Sequence, residues 1–374
     1  MYTEKDLIRV ALRENNTKRN YLIVNPLQGK HVPVPPGKAL KLSSALAGIL
    51  KSRYKEEKLL LIGFAETATA IGIQVAIGLG SLYIQTTRED IPGARYIFFS
   101  EEHSHATEQR LVKDDIDIAV EDKGIDRIIF IEDELTTGNT ILNLIKALVK
   151  EYPGRLKFAV ASLLNGMAKE YLDIYNEKGT GLHYLVKTDN STYARRAGLF
   201  AGDGEYIPCC CAAPAGGYNT FNASGWMDTR RMVEAPEYKK ACENLWEEIY
   251  AYIGEKRNKS ILVAGTEEFM YPALYVGSKL EDMGNDTRTH STTRSPVVAS
   301  MEKDYPLHTR YELRSVYDKD RVTYIYDIDT YDEVIIITDS HSGEDEGVNS
   351  LVNAVRHKNK NILLVRWCPF EKFV

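Results

Sequence analysis

The residues best suited to chemistry lie in the stretch RIIFIEDELTTGNTI, residues 127–141. Two carboxylates, Glu132 and Asp133, end an apolar run, and a small, hydroxyl-rich turn follows, made of Thr136, Thr137, Gly138, Asn139 and Thr140. Small residues and a glycine let the backbone approach a ligand, and amides that open a helix bind phosphate. The carboxylates would repel phosphate but accept hydrogen bonds from sugar hydroxyls. This pattern predicts a site for a ribose 5-phosphate.

Alternating strands and helices would position these residues. Several short stretches of the chain are apolar at successive residues, and helical segments separate them. This pattern predicts a parallel sheet in an α/β fold. The predicted strands cover residues 59–64, 81–86, 127–133, 156–164, 260–265, 334–339 and 361–367, and the predicted helices cover residues 141–152 and 236–259. Ligands bind at the carboxyl ends of such strands, where Glu132 and Asp133 stand.

The two halves of the chain repeat one pattern. Thr292-Thr293-Arg294 follows Thr86-Thr87-Arg88 at a distance of 206 residues, and Asp339 follows Asp133 at the same distance. The repeats predict two parallel-sheet domains, the second a degenerate duplicate of the first. The segment 206–235 is rich in Gly, Pro and Asn and predicts a linker between domains at residues 1–205 and 236–374.

The charge and hydropathy of the chain exclude two classes of partner. The net charge is −6, and no basic block is present to neutralise a nucleic-acid backbone. No apolar run approaches the roughly 20 residues that span a bilayer, and the first residues are charged without a signal-peptide core. We therefore expect a cytoplasmic protein that binds neither nucleic acid nor membrane.

Four apolar residues, two acids and Thr-Thr-Gly-x-Thr resemble the 5-phosphoribosyl-1-pyrophosphate (PRPP) loop of type I, orotate phosphoribosyltransferase-like enzymes. The resemblance implies that Glu132 and Asp133 hold the ribose hydroxyls and that residues 136–140 hold the 5-phosphate. It also implies Mg²⁺ as cofactor, held mainly through PRPP and without a direct set of protein ligands. No Walker A phosphate loop is present.

The same family binds pyrophosphate after its first two core strands. At the first position this chain has Glu66, Thr67, Ala68 and Thr69, and at the second it has Arg88. The resemblance implies that the loop backbone and the Arg88 guanidinium meet pyrophosphate. Taken alone, the loop is equally an ordinary strand-to-helix turn, and Arg88 a surface arginine.

The resemblance further implies a lid over residues 98–111, bringing His103, His105 or Arg110 to the reacting centre as catalytic groups. Several relatives use lysine or arginine there, so the histidines depart from the family pattern. A metal site or a solvated loop would also accommodate two histidines and nearby acids.

An N-terminal hood is expected to recognise the acceptor. The proline-rich stretch at residues 25–37 precedes the first core strand and contains Lys30 and His31 as acceptor-binding candidates. A surface turn is an equal interpretation of this stretch.

The second half resembles the TRSP domain that follows a phosphoribosyltransferase domain in proteins associated with tellurium-resistance and stress operons; Thr293-Arg294-Ser295-Pro296 carries the likeness. Its loop has three carboxylates, Glu344, Asp345 and Glu346, where the first copy has a neutral cradle, so it should not bind PRPP in the same way. Arg294, Asp339 and His341 are its candidate residues. The domain either binds the acceptor or product, or is structural.

These expectations describe a Mg²⁺-dependent phosphoribosyltransferase that uses PRPP and an unidentified small-molecule acceptor, in a nucleotide-like biosynthetic pathway linked to stress or tellurium resistance. The alternative is a non-catalytic protein that senses PRPP or nucleotides. A PRPP-forming diphosphokinase ranks third because no ATP-specific feature is present. Dimers are common among relatives, which allows a homodimer here.

Overall fold

The computed structural model describes residues 1–14, 16, 19–99, 109–341 and 345–369. In chain order the strands are β1 (Arg9–Leu12), β2 (Tyr21–Val24), β3 (Leu59–Gly63), β4 (Leu82–Gln85), β5 (Tyr96–Phe99), β6 (Gln109–Val112), β7 (Arg127–Leu135), β8 (Lys157–Asn165), β9 (Gly181–Lys187), β10 (Glu205–Pro208), β11 (Asn219–Ala223), β12 (Val233–Glu234), β13 (Ser260–Gly265), β14 (Asp286–Ser291), β15 (Thr309–Arg314), β16 (Val322–Tyr326), β17 (Glu333–Thr338) and β18 (Ile362–Trp367).

The α-helices of the described residues are α1 (Glu4–Leu7), α2 (Pro36–Lys51), α3 (Thr69–Leu79), α4 (Lys113–Asp117), α5 (Asn139–Glu151), α6 (Lys169–Glu177), α7 (Tyr193–Ala197), α8 (Ala235–Ile253), α9 (Tyr271–Asp282) and α10 (Glu346–Arg356). A π-helical turn covers Ile118–Asp122 and a 3-10 turn covers Asn190–Thr192. None of these helices combines the length and the apolar character that crossing a bilayer requires.

The chain folds as two compact units. The first unit contains residues 1–4, 40–190 and 227–240, and the second contains residues 5–39, 191–226 and 241–374. The first unit is built on a six-stranded sheet of order β12-β4-β3-β7-β8-β9, in which every pair except β12–β4 is parallel. One core cluster joins Leu60, Ile62 and Phe130 of its strands to Leu144 and Leu148 of α5.

The second unit is built on a parallel sheet of order β11-β18-β17-β13-β14. The N-terminal segment 5–39, expected from the sequence to belong to the first domain, packs in this unit instead. The reason is apolar burial: Ala11 and Val24 share a core cluster with Val297 and Tyr326. Backbone pairing adds to it, since Val34 forms an isolated bridge with the second half.

The two sheets share a strand order. Strands β4-β3-β7-β8 of the first unit and β14-β13-β17-β18 of the second follow the same spatial order, and all these pairs are parallel. Along the chain, an antiparallel hairpin lies between β4 and β7 in the first unit and between β14 and β17 in the second. These hairpins are β5–β6 and β15–β16. The α/β class with parallel sheets is confirmed.

The predicted strands are all present, within two residues at each end. The helix predicted over residues 236–259 ends earlier, at Ile253. Gly254 follows with φ 69°, a left-handed conformation that ends helices. The segment 206–235 is more than a linker, because β10, β11 and β12 lie wholly or partly in it and pair with β15, β18 and β4.

Two buried histidines should make the stability of the chain depend on pH. Burial lowers the pKa of His183 and of His290 to about 4 each. In the unfolded chain a histidine has a pKa of about 6.5, so as the pH falls the unfolded chain binds protons before the folded chain does. The contribution of the two neutral histidines to the free energy of unfolding is therefore complete above about pH 6.5 and declines towards pH 4. We expect the melting temperature to fall as the pH drops below about 6.5, and the double variant His183→Gln, His290→Gln to lose much of that slope. A calorimetric melting temperature with the same pH slope in both proteins would contradict this assignment.

Candidate functional site

Three loops at the carboxyl ends of neighbouring strands form the candidate site of the first unit. Strands β4, β3 and β7 lie side by side in the sheet. The loops that follow them cover residues 86–88, 64–68 and 136–140. Glu132 and Asp133 lie near the end of β7, which reaches Leu135. Because parallel strands end at one edge of the sheet, these segments come together.

The turn after β7 has the backbone conformation of an anion cradle. Gly138 adopts φ 73°, and α5 begins directly after it at Asn139. The Tyr175 hydroxyl donates to the Gly138 carbonyl at 2.7 Å and braces the turn. The Asn139 amide, the first of α5, donates to the Thr137 hydroxyl oxygen at 3.3 Å, and the positive end of the helix dipole beside this turn suits a phosphate. Thr136, Thr137 and Thr140 are half-buried and remain accessible.

Asp133 ties this turn to the loop after β3. The Thr67 hydroxyl donates to Asp133 Oδ1 at 2.9 Å. Burial, reinforced by the Glu134 carboxylate, raises the pKa of Asp133, and the hydrogen bond from Thr67 opposes that rise. Glu132 and Asp133 keep partial exposure. The Asp133 carboxyl group can therefore accept from hydroxyl groups, more strongly as the pH rises through its raised pKa.

The loop after β3 presents backbone more than side chains. Glu66, Ala68 and Thr69 are buried, whereas Thr67 is half-buried. The peptide bond between Ala65 and Glu66 is cis. Helix α3 begins at Thr69, so the loop amides lead into a helix N-terminus. The Ala68 amide donates to the Phe64 carbonyl at 3.0 Å, and anion binding by the amides of the other predicted pyrophosphate residues stays a prediction.

Arg88 and Arg110 have different surroundings. Arg88 is half-buried and lies three residues after Gln85, the last residue of β4. Arg110 donates to Asp90 at 2.9 Å, and its guanidinium lies 5.5 Å from the centre of the Tyr96 ring. This arginine is engaged on the β5–β6 hairpin. The other two predicted catalytic residues, His103 and His105, lie outside the described residues, and a catalytic role for all three stays a prediction.

Gln109 is a residue of this site that the sequence did not indicate. It precedes Arg110 on β6, and side chains alternate between the two faces of a strand. Gln109 Nε2 donates to the Ala65 carbonyl at 2.9 Å, so its side chain reaches the loop after β3. A lone glutamine at the start of a four-residue strand carries no sequence signal for such a role.

The structure places Lys30 and His31 in the second unit rather than beside the loops of the first. Lys30 is fully buried, and its ammonium donates to the carbonyls of Glu267 and Thr292 at 2.8 and 2.9 Å. His31 is 3% exposed and lies near the Tyr326 ring. An ammonium with these two partners holds a loop, so the expectation that Lys30 faces an acceptor does not fit its surroundings.

In the second unit, side chains of the loop between β15 and β16 bond to residues at and after the ends of β13 and β17. The Tyr317 hydroxyl donates to Asp339 Oδ1 at 2.6 Å and lies 2.6 Å from Thr266 Oγ1. Arg321 donates to Glu267 at 2.9 Å, and the Ser315 hydroxyl donates to the same carboxyl group at 2.5 Å. Tyr317, Ser315 and Arg321 come from the loop of the β15–β16 hairpin, so this loop engages the carboxyl groups of Asp339 and Glu267.

The remaining predicted residues of the second unit are also engaged. Arg294 lies 3.9 Å from Glu267 and 3.6 Å from Glu268, two carboxylates that are almost completely buried. His341 is exposed, and its carbonyl accepts from Arg366 at 2.8 Å. The acids and the arginines offset one another here, which leaves little net charge for a phosphate.

Among residues 1–14, 16, 19–99, 109–341 and 345–369, no group of three or more His, Cys, Asp and Glu side chains is arranged to hold a metal ion. Oxygen donors that suit Mg²⁺ are nevertheless present at the end of β7, in Glu132 and Asp133.

Two family models match the chain. A phosphoribosyl transferase family matches residues 7–188, and the TRSP domain found C-terminal to that family matches residues 228–355. No curated protein matches. The two matched ranges contain the loops of the first unit and the Thr293-Arg294-Ser295-Pro296 motif of the second half.

Solved adenine phosphoribosyltransferases show a weak structural likeness. The enzyme from Leishmania tarentolae is 19% identical, with a TM-score of 0.31 over 42% of this chain and 74% of its own. The enzyme from Trypanosoma brucei, solved with AMP, pyrophosphate and ribose-5-phosphate, is 15% identical, with a TM-score of 0.34 over 50% and 80%. That from Giardia lamblia, solved with 9-deazaadenine, is 15% identical, with a TM-score of 0.36 over 50% and 99%.

These TM-scores are low, so the assignment rests on the two family models, which together match most of the chain. The resemblance seen in the sequence is confirmed on both sides of the linker segment. The chain therefore carries a phosphoribosyltransferase-family domain at residues 7–188, followed by a TRSP domain at residues 228–355.

Proposed function

We propose that the first unit binds PRPP and transfers its 5-phosphoribosyl group to a small-molecule acceptor, with release of pyrophosphate. The observation that supports this most directly is the hydrogen bond of 2.9 Å from Thr67 to Asp133. PRPP carries its 5-phosphate and its pyrophosphate on one ribose, so the loops that hold them must be neighbours. This bond joins the pyrophosphate loop to the strand that leads into the phosphate turn.

Each part of PRPP has a proposed partner. The 5-phosphate meets the hydroxyls and amides of Thr136, Thr137, Asn139 and Thr140 around Gly138. The ribose hydroxyls donate to Glu132 and Asp133. Pyrophosphate meets the backbone of Glu66, Thr67, Ala68 and Thr69 and the guanidinium of Arg88, a fork suited to phosphate oxygens.

The reaction replaces one bond at C1 of the ribose. The C1–O bond to pyrophosphate breaks and its electron pair leaves with pyrophosphate, while a nucleophile of the acceptor forms the new bond to C1. The ribose carries positive charge in the transition state. The chain therefore contributes mainly position and electrostatic stabilisation, through the carboxylates on the ribose side and the Arg88 guanidinium on the pyrophosphate side.

The donor set at the end of β7 fits Mg²⁺, a cation that prefers oxygen ligands and keeps several non-protein ones. Bound together with PRPP, the ion would neutralise the departing pyrophosphate. We propose that oxygens of PRPP supply most of its ligands and that Glu132 and Asp133 orient the hydroxyl side.

We also propose that the second unit is a degenerate duplicate that no longer binds PRPP. Its support is the shared strand order of the two sheets together with the Tyr317–Asp339 hydrogen bond, which uses the carboxyl group that matches Asp133. A phosphate entering there would meet the buried carboxylates of Glu267 and Glu268. A link to stress or tellurium resistance rests on the TRSP likeness alone.

A single PRPP per chain is the expected stoichiometry. Asp339→Asn should leave the PRPP affinity within about twofold of wild type, because the proposed ligand site uses Asp133, the matching residue 206 positions earlier, and not Asp339. Titration calorimetry with PRPP and Mg²⁺ measures both quantities. Two PRPP molecules per chain, or a large loss of affinity in a folded Asp339→Asn variant, would show that the second unit binds the ligand.

The transferase activity is tested by PRPP-dependent release of pyrophosphate across a panel of small acceptors, including purine and pyrimidine bases and simple amines. Thr137→Glu serves as the inactive control, since its carboxylate would repel the 5-phosphate. Release that needs both an acceptor and the wild-type loop supports the transferase. Tight PRPP binding without release for any acceptor would favour the alternative, a protein that senses PRPP.

A further inference from the structure

Gln109 closes a ring of buried hydrogen bonds around the loop after β3. Its Nε2 donates to the Ala65 carbonyl at 2.9 Å, and its Oε1 accepts from the Thr86 hydroxyl at 2.6 Å. The Thr86 hydroxyl oxygen in turn accepts from the Ala65 amide at 2.9 Å. All three residues are buried, so water competes little for these bonds. Both polar groups of the Ala65 backbone are thus fixed by side chains.

The ring requires a carboxamide. Glutamine offers a donor and an acceptor on one uncharged group, and the ring uses one of each. A glutamate would still accept from Thr86 but would set an ionised oxygen against the Ala65 carbonyl. A methionine of similar length would leave both partners without their bonds. Glu66 and Thr67 follow Ala65 directly, so a displaced Ala65 carries the loop with it.

Gln109 also joins the loop to a hairpin. It pairs with Phe99 across β5 and β6. The next residue, Arg110, exchanges two backbone hydrogen bonds with Thr87, of 2.9 and 3.0 Å. Thr87 directly precedes Arg88. Hydrogen bonds therefore connect three segments: the loop after β3, the β5–β6 hairpin and the backbone before Arg88. The Gln109 side chain makes the connection to the loop after β3.

The second unit holds the matching carbonyl differently. The Glu267 amide donates to Thr292 Oγ1 at 3.0 Å, as the Ala65 amide does to Thr86. The Glu267 carbonyl, however, accepts from Lys30 Nζ at 2.8 Å, so its donor comes from the N-terminal segment. Thr323 stands where the first unit has Gln109, one residue before the bridge partner of Thr293. The glutamine is thus found in the unit that has the proposed PRPP loop, and a threonine takes its place in the other unit.

We propose that Gln109 is a positioning residue for pyrophosphate: by holding Ala65, it sets the backbone of Glu66 and Thr67 so that their amides meet the leaving group. The inference rests on the proposed function, because it assigns a determinant of pyrophosphate binding within that site. Gln109 acts through Ala65 and Thr86 and does not itself touch the substrate.

Three variants of the full chain test it by titration calorimetry with two separate probes, Mg²⁺-pyrophosphate and ribose 5-phosphate. Gln109→Glu and Thr86→Val each break the ring, whereas Thr86→Ser keeps its hydroxyl. We expect the first two to weaken pyrophosphate binding about tenfold or more and to leave ribose 5-phosphate within about twofold of wild type. Thr86→Ser and the matched control Gln74→Glu, on α3 outside the ring, should keep both affinities.

The pH gives an independent readout. A protonated carboxyl group donates a hydrogen bond, so the ratio of the Gln109→Glu to the wild-type pyrophosphate Kd should shrink as the pH is lowered. If Gln109 only supported the fold, its substitution would weaken the binding of both probes together, and the pyrophosphate affinity would not recover at low pH. A folded Gln109→Glu variant with wild-type pyrophosphate affinity would overturn the inference. A wild-type chain that binds neither probe would overturn the proposed function itself.

Discussion

Asp133→Asn is expected to weaken PRPP binding by about 10- to 100-fold while it raises the melting temperature of the chain. A hydrogen bond to an ionised group contributes about 1.5–3 kcal/mol, and the amide loses the charge that strengthens the bond from a ribose hydroxyl. Asparagine keeps an oxygen that accepts from Thr67, so the link of 2.9 Å between the two loops can persist. The loss should therefore appear in ligand binding rather than in folding.

The stability gain follows from the raised pKa of Asp133, which burial and then the Glu134 carboxylate produce. A carboxyl group whose folded pKa lies above its unfolded value stabilises the fold fully at pH below the unfolded pKa, and this contribution is lost as the pH rises through the folded pKa. At pH 8 the wild type carries that loss and Asp133→Asn does not. The wild-type affinity for PRPP should fall as the pH drops towards the raised pKa.

Calorimetric titration and thermal melting at pH 8 check both effects, with Asp339→Asn as the matched control in the second unit. Weaker binding with a lower melting temperature would mean that Asp133 supports the fold through its charge. Unchanged PRPP affinity in a folded Asp133→Asn variant would remove this carboxylate from the ligand site.

Gly138→Ala is the second variant with a large expected effect. The residue adopts φ 73°, a region that costs a residue with a Cβ about 1–2 kcal/mol. A Cβ at this position would also lie 2.6 Å from the Tyr175 hydroxyl, which donates to the Gly138 carbonyl. The turn must shift, and a misplacement of about 1 Å in a site of this kind lowers activity about a hundredfold. PRPP binding should fall by a similar factor.

Gly154→Ala isolates the local effect. Gly154 has a similar φ of 69°, but an added Cβ would have no heavy atom within 4 Å among the described residues. It therefore carries the same backbone strain without a displaced phosphate turn, and its PRPP affinity should match the wild type. If Gly138→Ala folds and binds PRPP as tightly as Gly154→Ala, residues 136–140 do not hold the phosphate.

The strands and the loop after β7 could be predicted from the sequence because their signals are local. Ile128 to Ile131 form a short, β-branched apolar run that is typical of a strand buried on both faces, and the glycine at position 138 indicates a turn after it. The common edge of three loops follows from the rule that parallel strands present their carboxyl ends together. These features need no knowledge of distant contacts.

The placement of Lys30 and the role of Gln109 could not be predicted, since both depend on contacts between residues far apart in the chain. Lys30 meets the carbonyl of Glu267, and Gln109 meets that of Ala65. Neither contact leaves a spacing or a composition in the sequence. The hydrogen bond from Tyr317 to Asp339 is of the same kind, because the tyrosine stands in a hairpin loop with no motif around it.

We propose that residues 132–140 and 64–68 of the first unit bind PRPP, and the decisive experiment is calorimetric titration of PRPP with Mg²⁺ into the wild type and into Thr137→Glu. We expect saturable binding of one PRPP per wild-type chain and its loss in a folded Thr137→Glu variant. If titration of a folded wild-type chain gave no heat of binding at millimolar PRPP, the proposal that this unit binds PRPP would be contradicted.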